Sequence, residues 1–194
     1  MPENELRNVY LRPFRAAVDA GVATLMTSFS EVDGVPATAN ERLVRRILKD
    51  EWAFGGFVVS DWDSVRQLCI HGLTADDRDS SREAVTAGVD MEMHGDAYTV
   101  HLPPLVRGGE VDASLVDAAV RRILRVKVRL GLFERPYTDP ADSHPIASEA
   151  SLATARQAAL QSIVLLSNEH HVLPLSRESL RSLAVIGPLA DAAD

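Results

Sequence analysis

The run Gly55–Val65, "GGFVVSDWDSV", passes from two glycines through apolar, β-branched positions into Ser60, Asp61, Trp62 and Asp63. It reads as a strand buried on both faces that ends in an acid, a large aromatic and another acid. In a parallel α/β sheet, catalytic groups gather at the carboxyl ends of strands, where side chains leave the packed wall and loops form a cleft. A carboxylate at Asp61 could attack an electrophilic carbon, and the indole of Trp62 offers a flat apolar platform for a sugar ring. The plainer reading is that Asp61 and Asp63 cap the helix that follows, Asp63 being the better placed. Two other acids lie near strand ends. Glu31 in "SFSEVDG" and Glu92 in "VDMEM" could approach Asp61, but Glu92 shares a strand face with Asp90, so one of that pair is expected to meet Arg or Lys. His71, His94, His101, His170 and His171 show no metal-ligand spacing with a Cys or acid, so solvated or capping roles are expected, with no metal and no cofactor. The single cysteine, Cys69, excludes an internal disulfide and reads as core filler.

The elements that would position these groups alternate. Leu6, Val9, Tyr10, Phe14, Ala17 and Val18 recur at helical spacing, with Pro13 expected to kink or split the run and Gly21 to close it. Val22–Phe29 reads as a buried strand bounded by the turn-like "DGVP". Thr38 and Glu41 have capping-box spacing ahead of the apolar stripe Leu43, Val44, Ile47 and Leu48. After the "GFVVS" strand come helical patterns in "DSVRQLCIHG" and "SSREAVTAG", a short strand at Val89–Met93 and a loop at "HLPPLVRGGE". A long helix follows, expected to turn Leu115, Val116, Ala119, Val120, Ile123 and Leu124 inward and to stop at Gly131. Strands too apolar to have a wet face, alternating with helices, predict parallel βαβ units and an α/β class.

Residues 132–147 hold prolines and no periodicity, which marks a linker. Beyond it, "SEASLATARQAAL" predicts a helix, and "SIVLLSN" and "LAVIGP" predict strands. Two strands and one helix cannot bury a core, and three βα units fall short of the eight of a closed barrel, so the sequence reads as an excerpt of a longer chain.

Composition narrows the partners. The 194 residues are 46% hydrophobic and 25% charged, with a net charge of −8, which suits a globular chain and offers a phosphate backbone nothing to grip. Nucleic acid is therefore an unexpected partner. No apolar run approaches the roughly 20 residues of a membrane span, and "MPENELRNVYLRPF" lacks a signal-peptide pattern, though an upstream segment would hide one. The compartment stays open.

The stretches "TLMTSFSEVDGVPATANERLVRRILKDEWAFGGFVVSDW", "AGVDMEM", "AAVRRILRVKVRLGLFERPY" and "ARQAALQSIVLLSNEHHVLPL" resemble, in order, glycoside hydrolase family 3, especially its bacterial β-glucosidases. The resemblance implies the last three βα units of a (β/α)8-type barrel in residues 1–131, the linker 132–147, and the start of an α/β sandwich domain in 148–194. It implies retaining hydrolysis of a β-glucoside or β-linked oligosaccharide, with Asp61 as nucleophile and a glutamate acid/base past the last residue here. Such carboxyl pairs generally stand about 5–5.5 Å apart. Met26 matches a pocket-lining methionine, with core packing an equal reading, and Trp62 matches an aromatic on the aglycone side. Phe29 stands where many family β-glucosidases have tyrosine, so the ring shape is kept and a hydroxyl contact is lost. A β-xylosidase-type member, or a non-catalytic piece, is the rival reading. The histidine loop of the family's single-domain glucosaminidases lies upstream of this stretch, and the linker argues against that branch.

Overall fold

The computed structural model describes residues 1–142 and 146–191. Residues 143–145 of the expected linker lie outside them. By contacts the chain forms two compact units, Met1–Thr138 and Asp139–Asp194.

In the first unit a helical lead, Glu3–Glu5 and Leu6–Tyr10, precedes helix α1, Arg12–Asp19. The break falls at Leu11, and Pro13 sits in the first turn of α1, where its missing N–H is not needed. Gly21, at φ +87°, then turns the chain and gives its N–H to the Val18 carbonyl at 2.9 Å. Strand β1, Thr24–Met26, is followed by the hairpin of β2, Glu31–Val32, and β3, Val35–Pro36, which turns through Asp33 and Gly34.

The next helix, α2, Arg42–Glu51, is wound with i→i+5 bonds and buries Val44, Ile47 and Leu48. Its start corrects the expected capping box. Asn40 is the cap: its Oδ1 accepts the Leu43 N–H at 3.1 Å. Thr38 is 1% exposed and turns its hydroxyl to other hydroxyls instead.

Strand β4, Phe57–Trp62, then helix α3, Asp77–Ala87, strand β5, Met91–Met93, helix α4, Ala97–Arg107, and helix α5, Ala113–Arg129, complete the unit. Only a short 3-10 turn, Arg66–Leu68, forms within "DSVRQLCIHG". Cys69 is half-buried, its Sγ 3.3 Å from Ser80 Oγ. Helix α4 occupies the stretch expected to be a loop. Its prolines 103 and 104 forgo main-chain bonds, but Leu102 and Leu105 are buried against Val85 and Val111, and that burial outweighs the lost donors. In α5, Ala119 and Val126 are buried and Leu115 and Val116 pack against the same core, whereas Val120 and Leu124, expected inward, are exposed.

The sheet order is β1-β4-β5, all parallel, with Met26 opposite Val59 and Val59 opposite Met91. Alternation along β4 separates two faces. Val58 and Ser60 are buried beneath the helices, while Phe57, Val59 and Asp61 are only partly covered. The strands were expected to be buried on both faces; among the described residues one face is packed and the other is partly open. Gly56 permits the β1–β4 approach, since a Cβ there would lie 2.1 Å from the Ala23 carbonyl oxygen.

In the second unit, helix α6, Glu149–Ser162, is capped by Ser148, whose Oγ accepts the Ser151 N–H at 3.2 Å. The strands expected at "SIVLLSN" and "LAVIGP" do not form among the described residues. Ile163 has extended dihedrals, yet a strand is stable only when its N–H and C=O groups meet a ladder partner, and none lies beside it among the described residues.

Candidate active site

The carboxyl end of β4 is irregular. Val59 pairs with Met91 and Trp62 with Met93, so β4 spends one residue more than β5 over this interval, a bulge. Ser60 fills it. Fully buried, its hydroxyl accepts the Met93 N–H at 2.8 Å and donates to the Asp61 carbonyl at 2.8 Å. The Asp63 N–H then reaches the Met93 carbonyl at 3.0 Å, so Met93 is held from both sides.

A relay of hydroxyls supports the other side of Asp61. The Asp61 N–H donates to Thr27 Oγ1 at 3.3 Å, Thr27 and Thr38 hydroxyls lie 2.9 Å apart, and Thr38 donates to Ser64 at 3.0 Å. Each hydroxyl has one proton, so with Thr38 giving its own to Ser64, Thr27 must be the donor to Thr38. All three are at most 6% exposed. The carboxylate of half-buried Asp61 takes the Trp62 N–H on Oδ1 at 2.6 Å. It therefore does not cap the following turn. Neither does that of Asp63: the Asp63 carbonyl, not the carboxylate, receives the Gln67 N–H at 3.1 Å, and the buried Asp63 Oδ1 has no hydrogen-bond partner among the described residues.

Trp62 is 57% exposed, and its ring stacks on that of His94, with centroids 3.8 Å apart and planes 14° from parallel. Sequence spacing could not show this contact, because it depends on the bulge in β4 and on the left-handed φ of +49° at His94. Glu92 turns to the first turn of α4, accepting Tyr98 N–H at 2.8 Å and Ala97 N–H at 3.3 Å. Burial raises its pKa above the usual carboxylate range, the two backbone donors oppose that, and Asp63 and Asp96 add to it. Asp90 is the member of the pair that meets cations, as expected. Its side chain is 2% exposed and holds Lys49 at 2.7 Å and Arg122 at 2.8 Å. Burial lowers the Lys49 pKa to about 8 against the pull of Asp90.

Residues 1–126 match the glycosyl hydrolase family 3 N-terminal domain. The chain belongs to glycosyl hydrolase family 3. Among curated relatives, the periplasmic β-glucosidase of Salmonella typhimurium is 39% identical over 98% of this chain and 26% of its own length. A β-xylosidase of Formosa agariphila is 35% identical over 98% of this chain and 28% of its own. The crystal structure of a β-glucosidase from Listeria innocua in complex with glucose superposes with a TM-score of 0.77 at 39% identity, over 91% of this chain and 24% of that one. The chain thus spans about a quarter of the length of these relatives.

Within this family 3 chain, Met26 stands opposite Val59 on the sheet face that Asp61 shares, and is 51% exposed. Phe29, 38% exposed, lies three residues beyond β1 in the segment leading to β2. The fold thus brings Asp61, Trp62 and Met26 to the carboxyl ends of adjacent strands. An apolar groove of about 180 Å³ runs between α1, β1 and α2, lined by Phe14, Leu25, Met26 and Leu43, and it holds no ionisable group. His71 Nδ1 lies 3.1 Å from Glu31 Oε1. Among the described residues no cluster of three His, Cys, Asp or Glu side chains could hold a metal ion, and no helix is long and apolar enough to cross a membrane.

Proposed function

We propose that these residues supply the nucleophile half of a retaining β-glycosidase active site, with Asp61 as the attacking carboxylate. The observation that carries this reading is Asp61 itself, placed at a strand end, held through its own N–H by Thr27 and flanked by an exposed indole. Its main chain is fixed while its carboxylate faces a partly open surface, which is what attack at a defined carbon requires.

In the first step an Asp61 carboxylate oxygen bonds to the anomeric carbon as the bond to the leaving oxygen breaks. A second carboxyl group protonates that oxygen, and the product is a glycosyl ester of Asp61. The second group then takes a proton from water, whose oxygen displaces Asp61 and restores it. We assign the second carboxyl group to a glutamate further along the full-length protein, as the family resemblance implies. Residues 1–131 would then be the closing part of a barrel domain, 132–147 a linker, and 148–194 the beginning of a sandwich domain.

Glucose is the favoured sugar, since the Salmonella relative is a β-glucosidase and the Listeria relative is seen with glucose. Xylose is the second reading, because a relative of nearly equal identity is a β-xylosidase. Trp62 and Met26 would form apolar walls of the sugar site, with Phe29 beside them. The test is to treat the full-length protein with a 2-fluoro-β-glucoside carrying a good leaving group and to map the labelled peptide. Label on Asp61 is expected, and label on another residue removes the assignment.

A further inference from the structure

We propose that His94 is a positioning residue for the leaving-group side of the site, acting only through Trp62. This inference rests on the reading of Asp61 as nucleophile with Trp62 beside it. At 3.8 Å between centroids and 14° between planes, the imidazole covers one face of the indole. A ligand can therefore stack on the opposite face alone, and the 57% exposure of Trp62 leaves room for it there.

The backbone that carries His94 is itself tied down. The Asp63 N–H grips the Met93 carbonyl at 3.0 Å, so the end of β5 is tied to β4 directly beside Trp62. One residue after His94, Gly95 has no Cβ, and one there would lie 2.3 Å from Glu92 Oε1. That space lets the Glu92 carboxylate reach the first N–H groups of α4, and the chain bends at His94 just after the strand. His94 takes up the bend in a left-handed conformation that brings its ring over Trp62.

An exposed tryptophan without such backing must give up rotamer freedom each time a ligand stacks on it. With His94 behind it the indole is already oriented. Flat leaving groups, such as an aryl ring or a second β-linked pyranose, gain most from this; a methyl leaving group gains little.

The experiment compares 4-nitrophenyl β-glucoside with methyl β-glucoside on the full-length protein and on its His94→Asn variant. Asparagine tolerates left-handed backbone while removing the ring. The ratio of kcat/KM for the aryl over the methyl substrate is expected to fall about two- to tenfold, the range for one aromatic pair, chiefly through a higher KM for the aryl substrate. In a Trp62→Ala background the same change at His94 is expected to lower the ratio no further. An unchanged ratio in His94→Asn, or an equal fall without Trp62, overturns the proposal. Asp61→Asn run alongside separates the two readings: if it keeps turnover, the nucleophile assignment fails; if it is inactive and His94→Asn matches the parent ratio, His94 alone is wrong.

Discussion

The buried hydroxyl of Ser60 accepts the main-chain N–H of Met93 at 2.8 Å and so takes the place of a ladder bond that the bulge in β4 interrupts. A side chain thus does what a carbonyl does elsewhere in the sheet, immediately before the proposed nucleophile. Its second bond, to the Asp61 carbonyl, fixes the peptide that follows.

Replacing Ser60 by Ala leaves the Met93 N–H without its acceptor in a partly buried place. A loss of about 1–3 kcal/mol is expected, the cost of an unpaired buried group. Chemical denaturation of the full-length protein measures it. Because Asp61 would be less firmly held, kcat on an aryl β-glucoside is expected to fall more than KM changes.

Gly55 and Gly56 form a matched pair. Gly56→Ala puts a Cβ 2.1 Å from the Ala23 carbonyl oxygen, a backbone atom that cannot swing aside, and 2.6 Å from Phe54 Cζ, so β1 must separate from β4. Destabilisation of about 3 kcal/mol or more is expected for such overpacking. Gly55→Ala meets nothing within 4 Å and is expected to leave the denaturation midpoint nearly unchanged.

Glu92 makes stability depend on pH with a definite sign. Its folded pKa is raised, mainly by burial, so between the ordinary carboxylate value and the raised one the native state keeps a proton that the unfolded state has released. Stability from this group is full below that window and is lost as pH rises through it. Glu92→Gln keeps an acceptor for α4 without the charge, so its melting temperature is expected to exceed the parent's at pH 7. The two should converge below about pH 4, where both side chains are neutral.

Asp90→Ala removes the common partner of Lys49 and Arg122 and also the acceptor of the Val58 N–H, which Asp90 Oδ2 receives at 2.9 Å. Breaking a buried ion pair by deleting one member costs about 3–5 kcal/mol. A denaturant titration reads this as a lowered midpoint. Asp90→Asn, which keeps an acceptor for Val58, is expected to lose less.

What the sequence made legible was local. Glycines bounding an apolar run placed β4 and put Asp61 at its end, because strand length and polarity change within a few residues. Thr38 was misread, since a threonine three residues before a glutamate suits a cap equally well, and only the fold brings Thr27 and Ser64 to its hydroxyl. Prolines 103 and 104 suggested a loop, and it took the burial of Leu102 and Leu105 to make that segment a helix. His94 carried no signal of its own, as its place over Trp62 follows from an extra residue in one strand and a left-handed residue after another. For the strands expected beyond the linker the pattern was apolar enough, but pairing depends on a neighbour that sequence periodicity does not supply.

The node at Asp90 also bears on the order of folding. Its cationic partners lie 41 residues before it and 32 after it, so it closes only when three distant segments have already met. Contacts of such separation form against chain entropy that local helices do not have to overcome. Asp90 substitutions are therefore expected to speed unfolding while leaving the refolding rate close to that of the parent, a partition that stopped-flow measurements on both limbs would read directly.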